Sequence, residues 1–550
     1  MTPLSFWGLP SSKLDPLLFG DEEPWAPERY DAGAALQQRQ ERAGGADTDL
    51  DPIVERDRIV DLTETDADRA AILRRYRLFT RQPDEMITLM ALQRMNPREL
   101  DFDPQLYQYG GGYIYMIGAA LGLSHVLGVT DITSDVGLYL SQPELFARFY
   151  IVARMITLIF GALALVAVLK LARYAAGRTA GWIAFAFVAC SPVFITGVLE
   201  AKPHLPSTCL LLWATLSAWR FHSRRRRRDA LHMGWQTGGA FGLVLTGLAG
   251  AALWPALMLS QVKLKIKNWR RLLGAGLLAL GFYAITNPYI PYNLLFNRNT
   301  LTGNVDNSMS MYTIGRLGDG FARTLQLLLE SCGPGALILG VLSLIWLGVR
   351  HPRQTLIATS PAAAMMALCI AIGADKPAEF ARFLLLPAVT LAVAAAVLAT
   401  HLARVRLGWG IAAAVLALGL MRTSTYLHSF HVDAHLDDES RYQAALYIRD
   451  QAPLSETIGV VQIPAPYATP PLNYARRRVA VLPPDEPKTA AADNLPAWLM
   501  LTADDATSFK HAWWRGKYRL VKEFAADPFR QSRIAWANKP VYIFRRRASE

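Results

Sequence analysis

The sequence predicts an α-helical polytopic membrane protein with a bundle of about nine to eleven spans and a small C-terminal extracytoplasmic α/β domain. Hydrophobic residues make up 52% of the chain and charged residues 19%, whereas soluble domains carry about a quarter charged residues. The apolar residues are concentrated between positions 148 and 425, and polar regions lie on either side. This segregation favours a membrane bundle flanked by soluble parts.

Nine segments are apolar enough to cross the hydrocarbon core, which takes about 20 residues of helix. They are 149–170, 179–199, 204–221, 236–260, 272–288, 333–349, 355–373, 383–401 and 408–424. Segment 236–260 contains Gly247, Gly250 and Pro255, and we interpret it as a hairpin of two short helices. One long tilted helix is the alternative.

Basic residues between the spans predict the orientation, because cytoplasmic loops retain Lys and Arg. They are Lys170, Arg173, Arg178, Arg224–Arg228, Lys263, Lys265, Lys267, Arg270, Arg271, Arg350, Arg353, Arg404 and Arg406. The hairpin interpretation places all of them on one face. The formal net charge of +12 is then a topology signal, and no nucleic-acid partner is expected. A multi-pass protein of the cell (inner) membrane is predicted, with both terminal regions outside the cytoplasm.

Three regions follow from this topology. Residues 1–110 form an extracytoplasmic N-terminal region, 111–425 the bundle, and 426–550 the soluble α/β domain. The stretch Gly110–Val129 is rich in Gly and Tyr, and we interpret it as a juxtamembrane or partly embedded helix, with a full crossing as the alternative. The C-terminal domain is predicted to contain a helix at Glu439–Gln451 and strands at Ile458–Val461, Ala497–Leu501, Tyr518–Glu523 and Val541–Phe544.

Two adjacent carboxylates, Asp84 and Glu85, follow Pro83 and precede the helical run Met86–Met95. An acid at this position is commonly a helix cap that complements the helix dipole, and catalysis is the alternative. Downstream, Tyr107 and Tyr109 lie among glycines. Such aromatic residues serve either as a membrane belt or as a sugar-binding surface.

Cations occur at the outer mouths of later spans. Arg382, with Lys376 six residues before it, is either a snorkelling cation or a phosphate clamp, since Arg binds phosphate with a bidentate fork. Lys202 and His204 occupy another outer loop, and Asn287 stands before Pro288 where a span ends. The spans carry few buried charges, unlike those of ion-coupled transporters. This distribution favours chemistry at the outer membrane surface on a lipid-borne substrate.

A series of elements follows in order along the chain: the outer Pro-Asp-Glu, Arg148–Arg173 with Ile159-Phe-Gly161, Gly177-Arg178-Thr-Ala-Gly181, Ser191-Pro192 and Arg382-Phe-Leu-Leu-Leu-Pro387. This arrangement resembles the GT-C class of polytopic glycosyltransferases, in particular the family 39-like group that includes protein O-mannosyltransferases and the bacterial aminoarabinose transferase. Only the Pro-Asp-Glu element is specific. The similarity covers residues 80–425.

The resemblance implies an inverting transfer of a sugar from a polyprenyl-phosphate donor in the bilayer to a protein, lipid or glycan acceptor. Asp84 is then the general base, with Glu85 as its rival. Arg382 and Lys376 hold the lipid phosphate, and Tyr107, Tyr109, Lys202, His204 and Asn287 contact substrate. No cofactor is implied, and a divalent metal is not required. A transporter or flippase of a lipid-linked saccharide is the alternative.

The sequence departs from the family in two places. Family members usually have a transmembrane helix just before the acidic loop, and this chain starts with a polar region instead. The second outer loop often carries an Asp, whereas here it contains Glu200, Lys202 and His204. An acidic partner at that loop is therefore in doubt.

Overall fold

A computed structural model describes the chain apart from residues 1–2, 32, 35–57, 108, 261–265, 312–313, 404–406, 437, 487–494, 504–511, 526–531 and 548–550. The basic positions Lys263, Lys265, Arg404 and Arg406 lie outside the described residues. The chain separates into two compact units. Unit 1 comprises Met1–Met86, Leu121–Val152 and Leu427–Glu550, and unit 2 comprises Ile87–Ala120 and Ala153–Tyr426.

The described α-helices are α1 Asp15–Leu18, α2 Asp66–Leu78, α3 Glu85–Gln93, α4 Gly111–Val126, α5 Val136–Ser141, α6 Pro143–Ala176, α7 Arg178–Ala189, α8 Pro192–Leu199, α9 His204–Arg224, α10 Arg227–Leu243, α11 Leu253–Leu259, α12 Ile266–Thr286, α13 Tyr289–Phe296, α14 Arg298–Met311, α15 Leu317–Arg350, α16 Pro352–Ile372, α17 Leu385–Leu402, α18 Leu407–His435 and α19 Ser440–Gln451. The strands are β1 Val60–Asp61, β2 Ile458–Val460, β3 Val479–Val481, β4 Trp498–Thr502, β5 Tyr518–Phe524 and β6 Val541–Arg546.

Among the described residues, five helices are long and apolar enough to cross a membrane, and seven spans result if each of two bent pairs counts as one. The bent pairs are α7 with α8, at 66°, and α12 with α13, at 77°. The outward faces of these helices carry exposed apolar stripes, such as Leu273, Leu277 and Leu280 on α12. Leucines exposed at this spacing indicate a face that contacts lipid. The chain is a multi-pass membrane protein.

One span occupies the centre of unit 2. The most apolar window of Ala378–Leu402 is 83% buried, whereas the corresponding windows of the other four single spans are 22% to 39% buried. A helix with apolar residues on every side needs partners on every side. Its neighbours are α7, α15 and α16. Residue Arg382, at the beginning of this span, is therefore carried by the most enclosed element of the bundle.

Two of the nine predicted segments, 204–221 and 236–260, do not form long apolar spans. Helix α9 carries hydroxyl groups that bond to α10: Ser207 Oγ donates to the Ala240 carbonyl at 3.0 Å, and Ser217 Oγ donates to Gln236 Oε1 at 2.9 Å. Side chains that bond between helices can be polar even at membrane depth. Helix α9 is mostly buried and is therefore an interior element, whereas segment 236–260 exposes Leu245, Leu248 and Leu259.

Segment 236–260 turns back on itself. Helix α10 ends at Leu243, Val244 is extended, and a 3₁₀ segment leads into α11. Residues of α11 share a buried cluster with Phe221 and Met233. Ser260, which follows α11, lies 3.1 Å from His222 Nδ1. The chain thus returns to the end of the bundle at which α10 began, as the hairpin interpretation required.

The basic loops meet at that same end. Arg271 donates to the Arg225 carbonyl. A cavity of about 280 Å³ is lined by residues that precede or follow the basic positions, including Leu171, Trp219 and Leu347. Helix α9 runs about 30 Å, at about 1.5 Å per residue, from His204 to Arg224. His204 and Arg224 therefore mark opposite ends of unit 2.

Glycines allow α10 to approach α12 closely. A Cβ at Gly234 would lie 2.4 Å from the Ala275 carbonyl oxygen, and one at Gly238 would lie 2.3 Å from that of Ala279. Small residues spaced four apart permit this backbone contact in membrane helices. The contact brings the non-basic ends of α10 and α12 together.

Helix α4 has 16 residues, or about 24 Å at about 1.5 Å per residue. This length is less than the roughly 30 Å of a hydrocarbon core. The predicted partly embedded helix at Gly110–Val129 is consistent with this length, whereas a straight full crossing is not.

The described residues of unit 1 form a six-stranded sheet with the order β1-β3-β2-β4-β6-β5. The strands β3, β2 and β4 are parallel, and β1, β6 and β5 join in antiparallel pairs. Strand β1 comes from the N-terminal region and pairs with β3 through Val60 and Val481. The predicted regions 1–110 and 426–550 therefore contribute to one folded unit, because this pairing joins them.

The predicted helix and four strands of the C-terminal region coincide with α19, β2, β4, β5 and β6 within one or two residues. Strands β1 and β3 were not predicted. Helix α2, next to β1, begins with a capping box in which Thr65 Oγ1 accepts from the Asp68 amide and Asp68 Oδ2 accepts from the Thr65 amide. This cap fixes the start of the helix that leads to the adjacent carboxylates.

Candidate functional site

The carboxylate loop, residues Thr80–Glu85, lies in unit 1 and connects α2 to α3. The Thr80 hydroxyl donates to Glu85 Oε2 at 2.8 Å, and its oxygen accepts from the Gln82 amide at 3.2 Å. The Gln82 side-chain oxygen accepts from the Asp84 amide at 2.7 Å. Side chains of the loop thus satisfy its own backbone, which a sharp turn before a helix requires. The loop has a fixed shape.

The two adjacent carboxylates have different environments. Glu85 is the first residue of α3, is 2% exposed and accepts from Thr80. Asp84 is partly exposed. A general base must reach the proton of an incoming substrate, and partial exposure favours Asp84 for this role. The buried Glu85 is better suited to holding the loop.

A buried ion cluster, made of Arg81, Asp433, Glu439 and Arg441, anchors the carboxylate loop. Arg81 contacts Asp433 at 2.8 Å and Glu439 at 3.2 Å. Arg441 contacts Glu439 at 2.7 Å and Asp433 at 3.4 Å. Despite burial, which acts in the opposite direction, the neighbouring guanidinium groups of Arg81 and Arg441 hold the pKa of Glu439 below its ordinary value. The cluster is electrically balanced and ties residue 81 to the C-terminal part of unit 1.

In unit 2, a cation–aromatic group brings together Tyr109, His204, Phe380, Phe383, Lys376 and Arg382. The Tyr109 and His204 rings are 6.3 Å apart, and the His204 and Phe383 rings are 5.0 Å apart. The Arg382 guanidinium carbon lies 5.2 Å from the centre of the Phe383 ring. The structure therefore places three predicted site residues, Tyr109, His204 and Arg382, in one continuous set of contacts.

Lys376 joins the same group through a second ring. Its Nζ lies 5.9 Å from the centre of the Phe380 ring, which is 4.5 Å from that of Phe383. Arg323 donates to the Lys376 carbonyl at 2.9 Å. Arg382 and Lys376 are partly exposed. Cations on apolar rings with an accessible side form a binding surface for an anion such as a phosphate.

Lys202 forms an ion pair with Glu200 at 3.2 Å, and both side chains are 5% exposed. The loop from Glu200 leads directly into His204, the first residue of α9. A buried carboxylate thus lies beside the cation–aromatic group. It neutralises Lys202, which is therefore a weaker candidate for a phosphate ligand than Arg382.

Tyr107 belongs to a separate polar cluster. Its hydroxyl donates to Asp103 Oδ1 at 2.5 Å, and the Asn293 amide donates to Asp103 Oδ2 at 2.7 Å. The Tyr107 amide donates to Asn304 at 3.0 Å. Burial and the adjacent Asp103 carboxylate raise the pKa of the Tyr107 hydroxyl. The hydroxyl therefore stays protonated, and its hydrogen is already donated to Asp103.

Asn287 connects three segments of unit 2. Its side-chain oxygen accepts from the Gly111 amide at 2.7 Å, and its amide group donates to the carbonyls of Gly242 and Tyr283. It is 4% exposed. These bonds give Asn287 a structural role at the junction of α4, α10 and α12. Its predicted contact with substrate stays a prediction.

Sequence reasoning left four residues of these groups out of the site: Glu200, Phe380, Phe383 and Arg323. The signal for Glu200 was its position two residues before Lys202 in an outer loop. Phe380 and Phe383 flank Arg382 in the motif already singled out. No sequence pattern near Arg323 indicates its role, because its contact with the Lys376 backbone joins positions 53 residues apart.

No group of three His, Cys, Asp or Glu side chains among the described residues is arranged to hold a metal ion. The prediction that transfer requires no metal stays a prediction.

Comparison with solved structures finds similarities at low sequence identity. The chain is similar to ArnT from Cupriavidus metallidurans bound to undecaprenyl phosphate, at 12% identity and a TM-score of 0.45, over 86% of this chain and 93% of that one. The apo state of the same protein gives 12% identity and a TM-score of 0.46 over 93% and 97%. The Archaeoglobus fulgidus oligosaccharyltransferase, in complex with Zn and sulfate, gives 12% and 0.38 over 79% and 60%. No protein-family model and no curated protein sequence matches the chain.

Proposed function

We propose that the chain is a membrane glycosyltransferase that moves a sugar from a polyprenyl-phosphate donor to an extracytoplasmic acceptor. The observation that carries the proposal is the cation–aromatic group at the non-basic end of unit 2. It offers Arg382 and Lys376, backed by Phe383 and Phe380, at the end of the most enclosed span. A phosphate at a membrane surface, attached to a long apolar chain, matches both the charge and the position of this group.

The proposed reaction is a single displacement at the anomeric carbon. The acceptor hydroxyl forms the new C–O bond, the bond between the anomeric carbon and the phosphate oxygen breaks, and polyprenyl phosphate leaves. Asp84 takes the proton from the acceptor hydroxyl, and Arg382 with Lys376 stabilises the charge that develops on the leaving phosphate. One displacement inverts the anomeric configuration.

Transport of a lipid-linked saccharide is the second candidate. The observation in its favour is an ion pair between two helices of the bundle, in which Arg422 on α18, 36% exposed, contacts Glu330 on α15, 13% exposed, at 2.7 Å. Charged pairs between spans often mark a transport path. The two functions differ in product, since transport forms no glycosidic bond.

A transfer assay separates the two functions. Purified chain in proteoliposomes is given radioactive polyprenyl-phosphate sugars, prepared in membranes from labelled nucleotide sugars, together with an acceptor-containing membrane fraction. We expect label to move from the lipid into a product that is stable to the mild acid that cleaves the donor. Label that crosses the bilayer and stays on the lipid carrier contradicts the proposal and supports transport.

Replacing Arg382 by glutamine is expected to raise the KM for the lipid-phosphate donor by about tenfold to a hundredfold, since a charge-assisted hydrogen bond contributes about 1.5–3 kcal/mol. The measurement is the initial transfer rate against donor concentration. Arg178→Gln, at an exposed position at the basic end of unit 2, is the matched control and should leave the KM unchanged. Equal KM values for wild type and Arg382→Gln would remove Arg382 from the donor site.

The proposed topology places the basic end of unit 2 in the cytoplasm and the C-terminal part of unit 1 outside. Two exposed positions, Arg227 and Gln451, are suitable for single cysteine substitutions. A membrane-impermeant maleimide applied to intact cells, with the outer membrane permeabilised where there is one, should label Gln451→Cys and not Arg227→Cys. The pattern should reverse in inverted vesicles. Labelling of Arg227→Cys in intact cells would invert the proposed orientation.

A further inference from the structure

Two aromatic side chains of unit 1 form a partly exposed pair in irregular loops of the C-terminal region. Tyr467 follows β2, and Trp536 precedes β6; their ring centres are 5.8 Å apart at an angle of 77°. Both are partly exposed. We call them the aromatic pair. Two rings at this angle form two walls of a corner, which is a shape that fits a small ring rather than an extended chain.

One hydrogen-bond donor in the aromatic pair is unused. The Trp536 indole Nε1 is buried and has no hydrogen-bond partner among the described residues. Buried Trp N–H groups normally have a partner, and leaving one unsatisfied is unfavourable. Lys539 Nζ lies 5.3 Å from the centre of the Trp536 ring. The pair therefore combines apolar ring faces with polar groups that could bind a hydroxyl.

The buried ion cluster holds both rings. Arg441 donates to the Tyr467 carbonyl at 3.4 Å and to that of Pro466 at 3.1 Å, and it donates to the Trp536 carbonyl at 2.7 Å. Asp433 accepts from the Asn538 amide at 2.9 Å. Fully buried charges with several hydrogen bonds fix the backbone of the residues that carry the two rings. The corner is preorganised rather than formed by flexible side chains.

The same cluster holds the carboxylate loop. Arg81, three residues before Asp84, contacts the same two carboxylates as Arg441. The Arg81 amide also donates to the Gly8 carbonyl at 2.8 Å. Burial raises the pKa of the Tyr467 hydroxyl; Arg75 lowers it and Asp84 raises it, so both charges act on this hydroxyl. The aromatic pair and the loop that carries the proposed base are therefore both held by one set of charges.

We infer that Tyr467 and Trp536 form the acceptor subsite of the proposed transferase and that the acceptor is a saccharide ring. The C–H face of a pyranose packs against an aromatic face. One of its hydroxyl oxygens accepts a hydrogen bond from the Trp536 indole N–H. A Ser or Thr side chain of a protein acceptor is too small to fill such a corner. This inference rests on the proposed function, because it assigns Asp84 a hydroxyl to deprotonate.

The test uses full-length chain in proteoliposomes and the transfer assay described above, with two acceptor fractions from membranes of cells that lack the chain. One fraction contains glycolipid and polysaccharide, and the other contains delipidated protein. We expect label in the saccharide fraction only. In Tyr467→Leu and Trp536→Leu, the KM for this fraction should rise by about tenfold, since an aromatic contact is lost, while the KM for the donor stays near the wild-type value.

Tyr447→Leu is the matched control, because Tyr447 is also partly exposed and lies in an aromatic contact, with Trp498 and Phe524. Its acceptor KM should equal that of wild type. Trp536→Phe keeps a ring and removes only the N–H, so its acceptor KM should rise by about fivefold for one lost hydrogen bond. Thermal unfolding of each variant identifies a loss of folding.

The outcomes separate the two proposals. If the wild-type chain transfers no label to either fraction, the proposed function fails. If it transfers label to protein, or if the acceptor KM is unchanged in the leucine variants, the acceptor inference is overturned while the transferase function stands. An unchanged acceptor KM in Trp536→Phe overturns the role of the indole N–H even if both leucine variants fail to fold.

Discussion

Replacing Asp84 by asparagine is expected to lower kcat for sugar transfer by about 10² to 10⁴, the usual contribution of a general base. The asparagine amide cannot take the proton from the acceptor hydroxyl. The size of the side chain and the backbone hydrogen bond to Gln82 are retained. The KM for the lipid-phosphate donor should stay near the wild-type value, since the proposed function assigns donor binding to Arg382 and Lys376. The measurement is the transfer rate at saturating donor and acceptor.

Glu85→Gln is the control for this variant. Glu85 is buried and accepts from Thr80, and a glutamine oxygen can accept the same bond. We therefore expect a smaller loss of kcat than in Asp84→Asn. A larger loss in Glu85→Gln would exchange the two roles. Full activity in both variants would exclude the carboxylate loop as the source of the base.

The difference between these two carboxylates could not be predicted from the sequence. Pro83, Asp84 and Glu85 are adjacent, and both acids fit either a helix cap or a catalytic role. What separates them is the direction of each side chain after the turn, which depends on the Thr80 and Gln82 hydrogen bonds. Short-range sequence patterns identify the loop. Only its folded geometry shows which of the two carboxylates is accessible.

Spans could be predicted because about 20 consecutive apolar residues form a local signal. The same signal does not separate a central helix from a peripheral one, since the most apolar windows of Ala378–Leu402 and Pro143–Ala176 have mean hydropathies of 2.3 and 2.4. Strand β3 was missed because it has three residues and follows three arginines, Arg476–Arg478. Its partner β1 lies some 400 residues earlier in the chain, at a distance that periodicity does not cover.

The contacts that organise unit 1 have the same long-range origin. Arg81 and Asp433 are 352 positions apart, and no pattern near either residue indicates the other. Tyr467 and Trp536 lie in irregular loops, where neither the helical nor the strand period applies. The sequence therefore identified the parts of the proposed site that are local motifs, whereas the ion cluster and the aromatic pair depend on the fold.

Replacing Arg441 by methionine is expected to destabilise unit 1 by about 3–5 kcal/mol, the usual cost of removing one partner from a buried ion pair. Methionine has a similar length and no charge. It leaves Asp433 and Glu439 with one cation, Arg81, and leaves the carbonyls of Tyr467 and Trp536 without their donor. The measurement is the thermal unfolding of the purified full-length chain in detergent.

Arg449→Met is the matched control on the same helix. Arg449 forms an ion pair with Asp450 at 3.0 Å, and the two side chains are 56% and 59% exposed. Exposed pairs contribute about 0–1 kcal/mol, so this variant should unfold close to the wild-type temperature. Equal effects of the two substitutions would show that burial of the cluster does not contribute to the stability of unit 1.

The pH dependence provides a second measurement on the same cluster. Because the pKa of Glu439 is lower in the folded chain than its ordinary value of 4.5, the unfolded chain binds more protons than the folded chain in that range. The stabilisation is therefore fully present above the ordinary value and is lost as the pH falls through the lowered one. In Arg441→Met one of the two cations that lower this pKa is absent. The variant should lose less additional stability than the wild type when the pH falls below about 4.5, and an unchanged acid profile would contradict the assignment of this titration to Glu439.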